Sequence, residues 1–173
     1  MPTRDQLVGA VAAACKELED RDEVLFVVNA NERSLSHKFA MYLQEEVEAW
    51  GEDWDVDCEY NRNADTVNAP YKKLLDIACT RGQGTTKLDD EHAKTVFPDV
   101  IVHRRRTPDN LLVVELKKTT ARTNDKDFDI EKLRAYVDQL RYRAAAFILL
   151  DVKTARCEVE WVPPLVDDVV DSR

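Results

Sequence analysis

Apolar positions along the chain recur first at helical and then at alternating spacing. Leu7, Val8, Val11, Ala14, Cys15 and Leu18 fall on one stripe and predict an amphipathic helix over about 4–20. Residues 24–28 are wholly apolar and read either as a short strand or as a lead into the next helix. Asn29 and Asn31 then offer N-caps, and Leu35, Phe39, Tyr42, Leu43 and Trp50 define a second helix that stops at Gly51. From 54 to 60 the period changes to two, with Trp54, Val56, Cys58 and Tyr60 on one face and Asp55, Asp57 and Glu59 on the other, as in a half-buried strand.

Residues 61–70 read as a turn region and 71–80 as a short helix through Leu74, Leu75 and Ala78. Gly82 and Gly84 lie among polar groups and make 81–95 a loop. Two strands follow, over 97–103 and 111–117, with Thr107, Pro108, Asp109 and Asn110 making the turn between them. Ile130, Leu133, Val137 and Leu140 mark a helix near 128–143, and strands are expected over 145–152 and 157–162. The expected fold is a single α/β domain, a central mixed β-sheet flanked by helices. Residues 1–30 form an N-terminal helix and lead-in, 31–162 the core, and 163–173 an acidic tail.

Composition narrows the function classes. The 173 residues are 44% hydrophobic, enough for a core without disulfide or metal staples. No apolar run approaches the roughly 18 residues of a membrane span, so no membrane association is expected. Cys15, Cys58, Cys79 and Cys157 are scattered without a paired motif, and the N-terminus lacks a convincing secretory pattern. Reduced thiols in the cytoplasm are the expectation.

The net charge of −9 excludes a polycation that coats nucleic acid by charge alone. The charge is uneven: residues 1–59 sum to −10, 60–122 to +4 and 123–173 to −3. An anion is therefore expected at the middle segment, through few phosphate contacts.

Candidate chemistry concentrates in the central hairpin. With the turn centred on residue 107, an antiparallel register sets Asp99 opposite Glu115, with Cβ atoms about 5 Å apart. Lys117 shares a face with Glu115. Facing carboxylates repel unless something neutralises them, and a hard divalent cation with oxygen ligands does so. A lysine beside such an ion can hold a water or stabilise charge on a phosphate. The plainer alternative is a cross-strand salt bridge of Lys117 with the two carboxylates.

Pro98-Asp99, then fifteen residues, then Glu115-Leu116-Lys117, set in two apolar strands, resembles the PD-(D/E)XK nuclease superfamily, the restriction-endonuclease-like fold. The resemblance runs from about Glu32 to Leu150. It implies that Asp99 and Glu115 bind Mg²⁺ or Mn²⁺, that Leu116 lends its backbone carbonyl, and that Lys117 positions the attacking water. It also implies a glutamate on the first core helix that reaches the metal, and Glu32 matches. Glu32 shares a face with Phe39, seven residues or about two turns on. Its alternative role is to answer the helix dipole.

For nucleic-acid contact the candidates are Arg62, Lys72, Lys73, Lys118 and Tyr136, the last flanking the apolar stripe of its helix, whereas Gln139 lies on the far side. The run Arg104, Arg105 and Arg106 reads either as a phosphate tracker or as a solvated hairpin tip. His37, His92 and His103 have no metal-site spacing, and Trp50, Trp54 and Trp161 read as packing residues.

The expected function is a metal-dependent nuclease cutting phosphodiester bonds, with DNA favoured over RNA and the choice between them left open. The alternative is a catalytically idle binding module of the same fold that acts through a protein partner. The acidic balance favours a partner, or a homodimer, that supplies part of the nucleic-acid affinity.

Overall fold

Thr3 opens the first helix with a reciprocal cap: its hydroxyl accepts the Gln6 N–H at 3.2 Å, and the Gln6 side chain accepts the Thr3 N–H at 2.8 Å. The computed structural model describes residues 1–51, 53–60, 62–63, 71–72, 97–120 and 123–163. Helix α1 (Arg4–Arg21) buries Leu7, Ala10, Val11, Ala14, Cys15 and Leu18, close to the expected stripe.

The apolar run at 24–28 is a helix, not a strand. It forms α2 (Glu23–Val27), one residue after α1, too short a link to reach a sheet edge. Its backbone is satisfied locally, Val28 N–H to the Val24 carbonyl at 3.0 Å and Ala30 N–H to that of Leu25 at 2.9 Å. Phe26 is buried, while Val24, Val27 and Val28 are exposed.

Helix α3 (Glu32–Glu48) starts where the asparagines predict, with Asn31 Oδ1 accepting the Ser34 N–H at 2.8 Å. Gly51, at φ +68°, takes the left-handed conformation that ends the segment.

The strands are β1 (Asp55–Cys58), β2 (Arg62–Asn63), β3 (Tyr71–Lys72), β4 (Val100–His103), β5 (Asn110–Lys118), β6 (Ala144–Asp151) and β7 (Arg156–Trp161), with α4 (Thr123–Leu140) between β5 and β6. Tyr71 and Lys72 pair with Asn63 and Arg62, so the helix expected over 71–80 does not begin there. The rest of that segment, the loop at 81–95 and the tail from 164 onward lie outside the described residues. Helix α4 begins earlier than its apolar period indicates, because its first turns are polar.

Five strands form one mixed sheet in the order β1-β4-β5-β6-β7, with β5 and β6 parallel and the other neighbours antiparallel. The parallel pair needs a crossover, which α4 supplies. Helices α1 and α3 lie on one face, where Leu35, Phe39 and Leu43 join Val100, Val102, Leu112, Val114, Leu116 and Ile148 in one cluster. Helix α4 covers the other face, where Leu133 and Tyr136 meet Ile101, Val113, Ala145 and Phe147. Each fully buried Leu or Phe contributes about 1.5–3 kcal/mol. The result is an α/β fold with a mixed five-stranded sheet between helices. Among the described residues no helix is long and apolar enough to cross a membrane.

The hairpin register is the expected one near the site: Val100 pairs with Val114, Ile101 with Val113 and Val102 with Leu112. It slips by one at the tip, where His103 pairs with Asn110. The tight turn is made by Arg104–Thr107, closed by the Thr107 N–H on the Arg104 carbonyl at 3.3 Å, rather than by residues 107–110. Arg106, at φ +66°, absorbs the reversal.

Candidate active site

Strand β5 alternates its side chains across the sheet, so Leu112, Val114 and Leu116 point toward α1 and α3 while Val113, Glu115 and Lys117 point toward α4. Asp99 stands one residue before β4. Continuing the Val100–Val114 pairing places it opposite Glu115, and its Oδ2 accepts the Leu116 N–H at 2.8 Å. The predicted Asp, Glu and Lys are thus brought together at the start of β4 and the C-terminal end of β5.

Glu32 reaches the same place from the first turn of α3. Its Oε1 accepts the Lys118 N–H at 3.1 Å, and its Oε2 lies 3.6 Å from Lys117 Nζ. Both oxygens therefore face β5. In this arrangement Glu32 holds the lysine of the motif and ties α3 to the strand end.

Two residues outside the sequence motif, Lys132 and Asp129, complete the cluster. Lys132 Nζ on α4 lies 2.9 Å from Glu115 Oε2 and 3.3 Å from Asp129 Oδ1. Asp129 Oδ2 in turn lies 3.3 Å from Lys117 Nζ. The signal was present: residues 129, 132 and 136 follow one another at helical spacing on the side of α4 that carries Tyr136.

Four carboxylates, on Glu32, Asp99, Glu115 and Asp129, meet the two ammonium groups of Lys117 and Lys132. With all six ionised the cluster is left with an excess of two negative charges, which one divalent cation balances. Burial pushes the Glu115 carboxyl well above its usual range, and Asp99 adds to this against the opposing pull of Lys132. Burial likewise raises Asp99, although the Leu116 N–H, Lys132 and Lys117 counteract it. For Lys117 burial favours the neutral amine, but Asp129 and Glu32 outweigh it and hold the ammonium form. Lys117 is therefore a cation and a hydrogen-bond donor here.

The residues fit a divalent ion on one direct observation. Glu115 is 3% exposed, and its Oε1 is buried without a hydrogen-bond partner among the described residues. A buried carboxylate oxygen left without a donor costs about 1–3 kcal/mol or more, and a proton or a cation removes that cost. Among the described residues no three acidic, histidine or cysteine side chains close around a common point. Two carboxylates suffice for magnesium, which completes its shell with water and phosphate oxygens.

A groove of about 170 Å³ lined by Arg33, Ser36, Cys58, Glu59 and Asp99 opens beside the cluster. Burial and the carboxylates of Asp57, Asp99 and Glu59 push the Cys58 thiol up to about 11, so it is a poor nucleophile.

The candidate nucleic-acid contacts fare unevenly. Tyr136 has no exposed surface and packs edge-on against Tyr142, with ring centroids 5.9 Å apart. Placed inside the core by the same stripe that flanks it, Tyr136 touches no solvent and so is not a surface contact. Lys118 donates to Asn29 Oδ1 at 2.9 Å and to the Ala30 carbonyl at 3.0 Å, and so secures the lead-in to α3. That work, rather than a free phosphate contact, is what its position gives it. Arg62 and Lys72 are backbone register partners in the β2–β3 pair, and Lys73 lies outside the described residues.

The arginine run sits at the hairpin tip, at the opposite end of β5 from Glu115. Arg105 pairs with Asp55 and Asp57, and Arg104 lies over the Trp54 ring at 4.4 Å and pairs with Asp109. These two arginines fasten β1 to the hairpin. His103 is buried and donates from Nε2 to Asp57 Oδ2 at 2.8 Å, while His37 is exposed. His92 and Cys79 lie outside the described residues. Trp54 is buried in the core, with Trp50 and Trp161 packed against it.

No family model, no curated protein and no solved structure matches this chain.

Proposed function

We propose that the protein is a metal-dependent nuclease of the PD-(D/E)XK, restriction-endonuclease-like type that hydrolyses phosphodiester bonds, with DNA as the preferred substrate. The observation that carries the reading is the β4–β5 register, which sets Asp99 against Glu115 with Lys117 on the same face. The αβα layering and the α4 crossover between parallel strands support it.

In this reading Asp99, Glu115 and the Leu116 carbonyl hold Mg²⁺ or Mn²⁺. The bound ion supplies Lewis acidity and a more acidic water. The chain's own groups do the rest. Lys117 donates a hydrogen bond to the attacking water or to a phosphate oxygen, and Glu32 and Asp129 hold its ammonium in place. The Leu116 N–H fixes the Asp99 carboxylate against the strand. Because the chain carries a net charge of −9, part of its affinity for nucleic acid comes from a protein partner or a second copy of the chain.

The test is to incubate supercoiled plasmid, linear duplex, single-stranded DNA and RNA with the wild type and Lys117→Ala, with Mg²⁺ or Mn²⁺ and with EDTA. Cleavage that needs the ion and disappears in the variant is the expected result. Equal cleavage by both proteins overturns the mechanism. Absence of both cleavage and metal binding in the wild type favours the idle binding module.

A further inference from the structure

We infer that Lys132 is a surrogate cation built into the candidate site: with no metal bound its ammonium neutralises Glu115, and it gives up Glu115 when a divalent ion binds. The inference rests on the nuclease reading of this site and deepens it by assigning a role to a residue outside the sequence motif.

The geometry is specific. Asp129 and Lys132 are three apart on α4, so both project over the end of β5. Lys132 has a side chain 12% exposed, and its Nζ meets Glu115 Oε2 at 2.9 Å and Asp129 Oδ1 at 3.3 Å. The other Glu115 oxygen, Oε1, is buried and has no hydrogen-bond partner among the described residues. A carboxylate in this position is tolerated only beside a positive charge, because taking an isolated one out of water is strongly unfavourable. Lys132 supplies that charge through one oxygen and leaves the second available.

An ammonium and a divalent ion compete for one carboxylate, since each repels the other at hydrogen-bond range. Asp129 makes the exchange possible. It already holds Lys132 through Oδ1 and Lys117 through Oδ2, so a Lys132 ammonium released from Glu115 keeps a buried counter-charge. Lys117 is placed differently, on Asp129 and Glu32, and does not compete for Glu115 in this way.

The experiment is calorimetric titration of MnCl₂ into the wild type and into Lys132→Met, with thermal unfolding in EDTA and in Mn²⁺ alongside. The expected result is Mn²⁺ binding at least about tenfold tighter in the variant, the scale on which one nearby charge shifts an ionic equilibrium. The variant should also melt lower in EDTA and gain more from Mn²⁺ than the wild type. Binding by the wild type with equal or weaker binding by the variant overturns the inference and leaves the nuclease reading standing. Binding by the variant alone supports it. Absence of binding in both overturns the inference together with the metal site. If Lys132→Met does not fold, a crystal structure of the wild type with Mn²⁺ decides. Lys132 Nζ beyond hydrogen-bond distance of Glu115 is expected, and the pair still at 2.9 Å overturns the inference.

Discussion

Asp99 and Leu116 are joined by a hydrogen bond of 2.8 Å from the Leu116 N–H to Asp99 Oδ2, across the hairpin that carries the candidate site. The carboxylate is thereby fixed before any ion arrives. Asparagine can keep this acceptor, whereas alanine cannot. Asp99→Ala should therefore lose about 1–3 kcal/mol of stability by leaving a buried N–H unpaired, and Asp99→Asn less. Both should lose metal-dependent cleavage. Urea unfolding beside a plasmid assay separates the structural loss from the chemical one.

Lys118 gives a sharper distinction between anchoring and substrate contact. Its ammonium holds Asn29 and Ala30 ahead of α3. Lys118→Met should cost about 1.5–3 kcal/mol in urea unfolding, the range for hydrogen bonds to a charged group. The salt dependence of DNA binding should not change. A phosphate contact at Lys118 would instead lower that slope by about one.

The β1 lock predicts an acid limb in the stability profile. Burial alone raises the Asp57 carboxyl, but hydrogen bonds from His103 and Arg105 outweigh it and hold the group well below the usual carboxylate range. A depressed folded value stabilises the protein above the unfolded carboxylate value of about 3.9, and the contribution is lost as pH falls through the folded value. Asp57→Asn should lower stability by about 2 kcal/mol at pH 7 and flatten the fall below pH 4. Urea midpoints measured from pH 2.5 to 7 check both.

Tyr136 carries a buried hydroxyl without a hydrogen-bond partner among the described residues. Removing an unsatisfied buried polar atom is neutral or stabilising. Tyr136→Phe should therefore keep or raise the melting temperature and leave DNA affinity unchanged. A large loss of affinity with the fold intact would return Tyr136 to the binding surface.

How much of the site was legible follows from how each element is specified. The β4–β5 register could be read in advance because a slip of one residue would turn Val100, Val102, Val114 and Leu116 away from the α1–α3 core. That register carries Asp99, Glu115 and Lys117 with it. The Asn31 cap fixed the start of α3, and so put Glu32 in its first turn. The run at 24–28 was ambiguous because five apolar residues satisfy either period, and its short link to α1 decided for a helix.

By itself the sequence determined helices α1, α3 and α4, the strands of the five-stranded sheet and the β4–β5 register beside Asp99, Glu115 and Lys117, because hydrophobic period is a local property. The turn at 104–107 and the β2–β3 pair were not legible in it. Tertiary structure alone decided that Asp129 and Lys132 meet Lys117 and Glu115, that Lys118 anchors α3, and that Arg104 and Arg105 fasten β1. A charged residue beside an apolar helix stripe reads as solvated until the sheet it faces is known. Its role is set by the counter-charge brought to it from a distant part of the chain, and no local pattern records that partner.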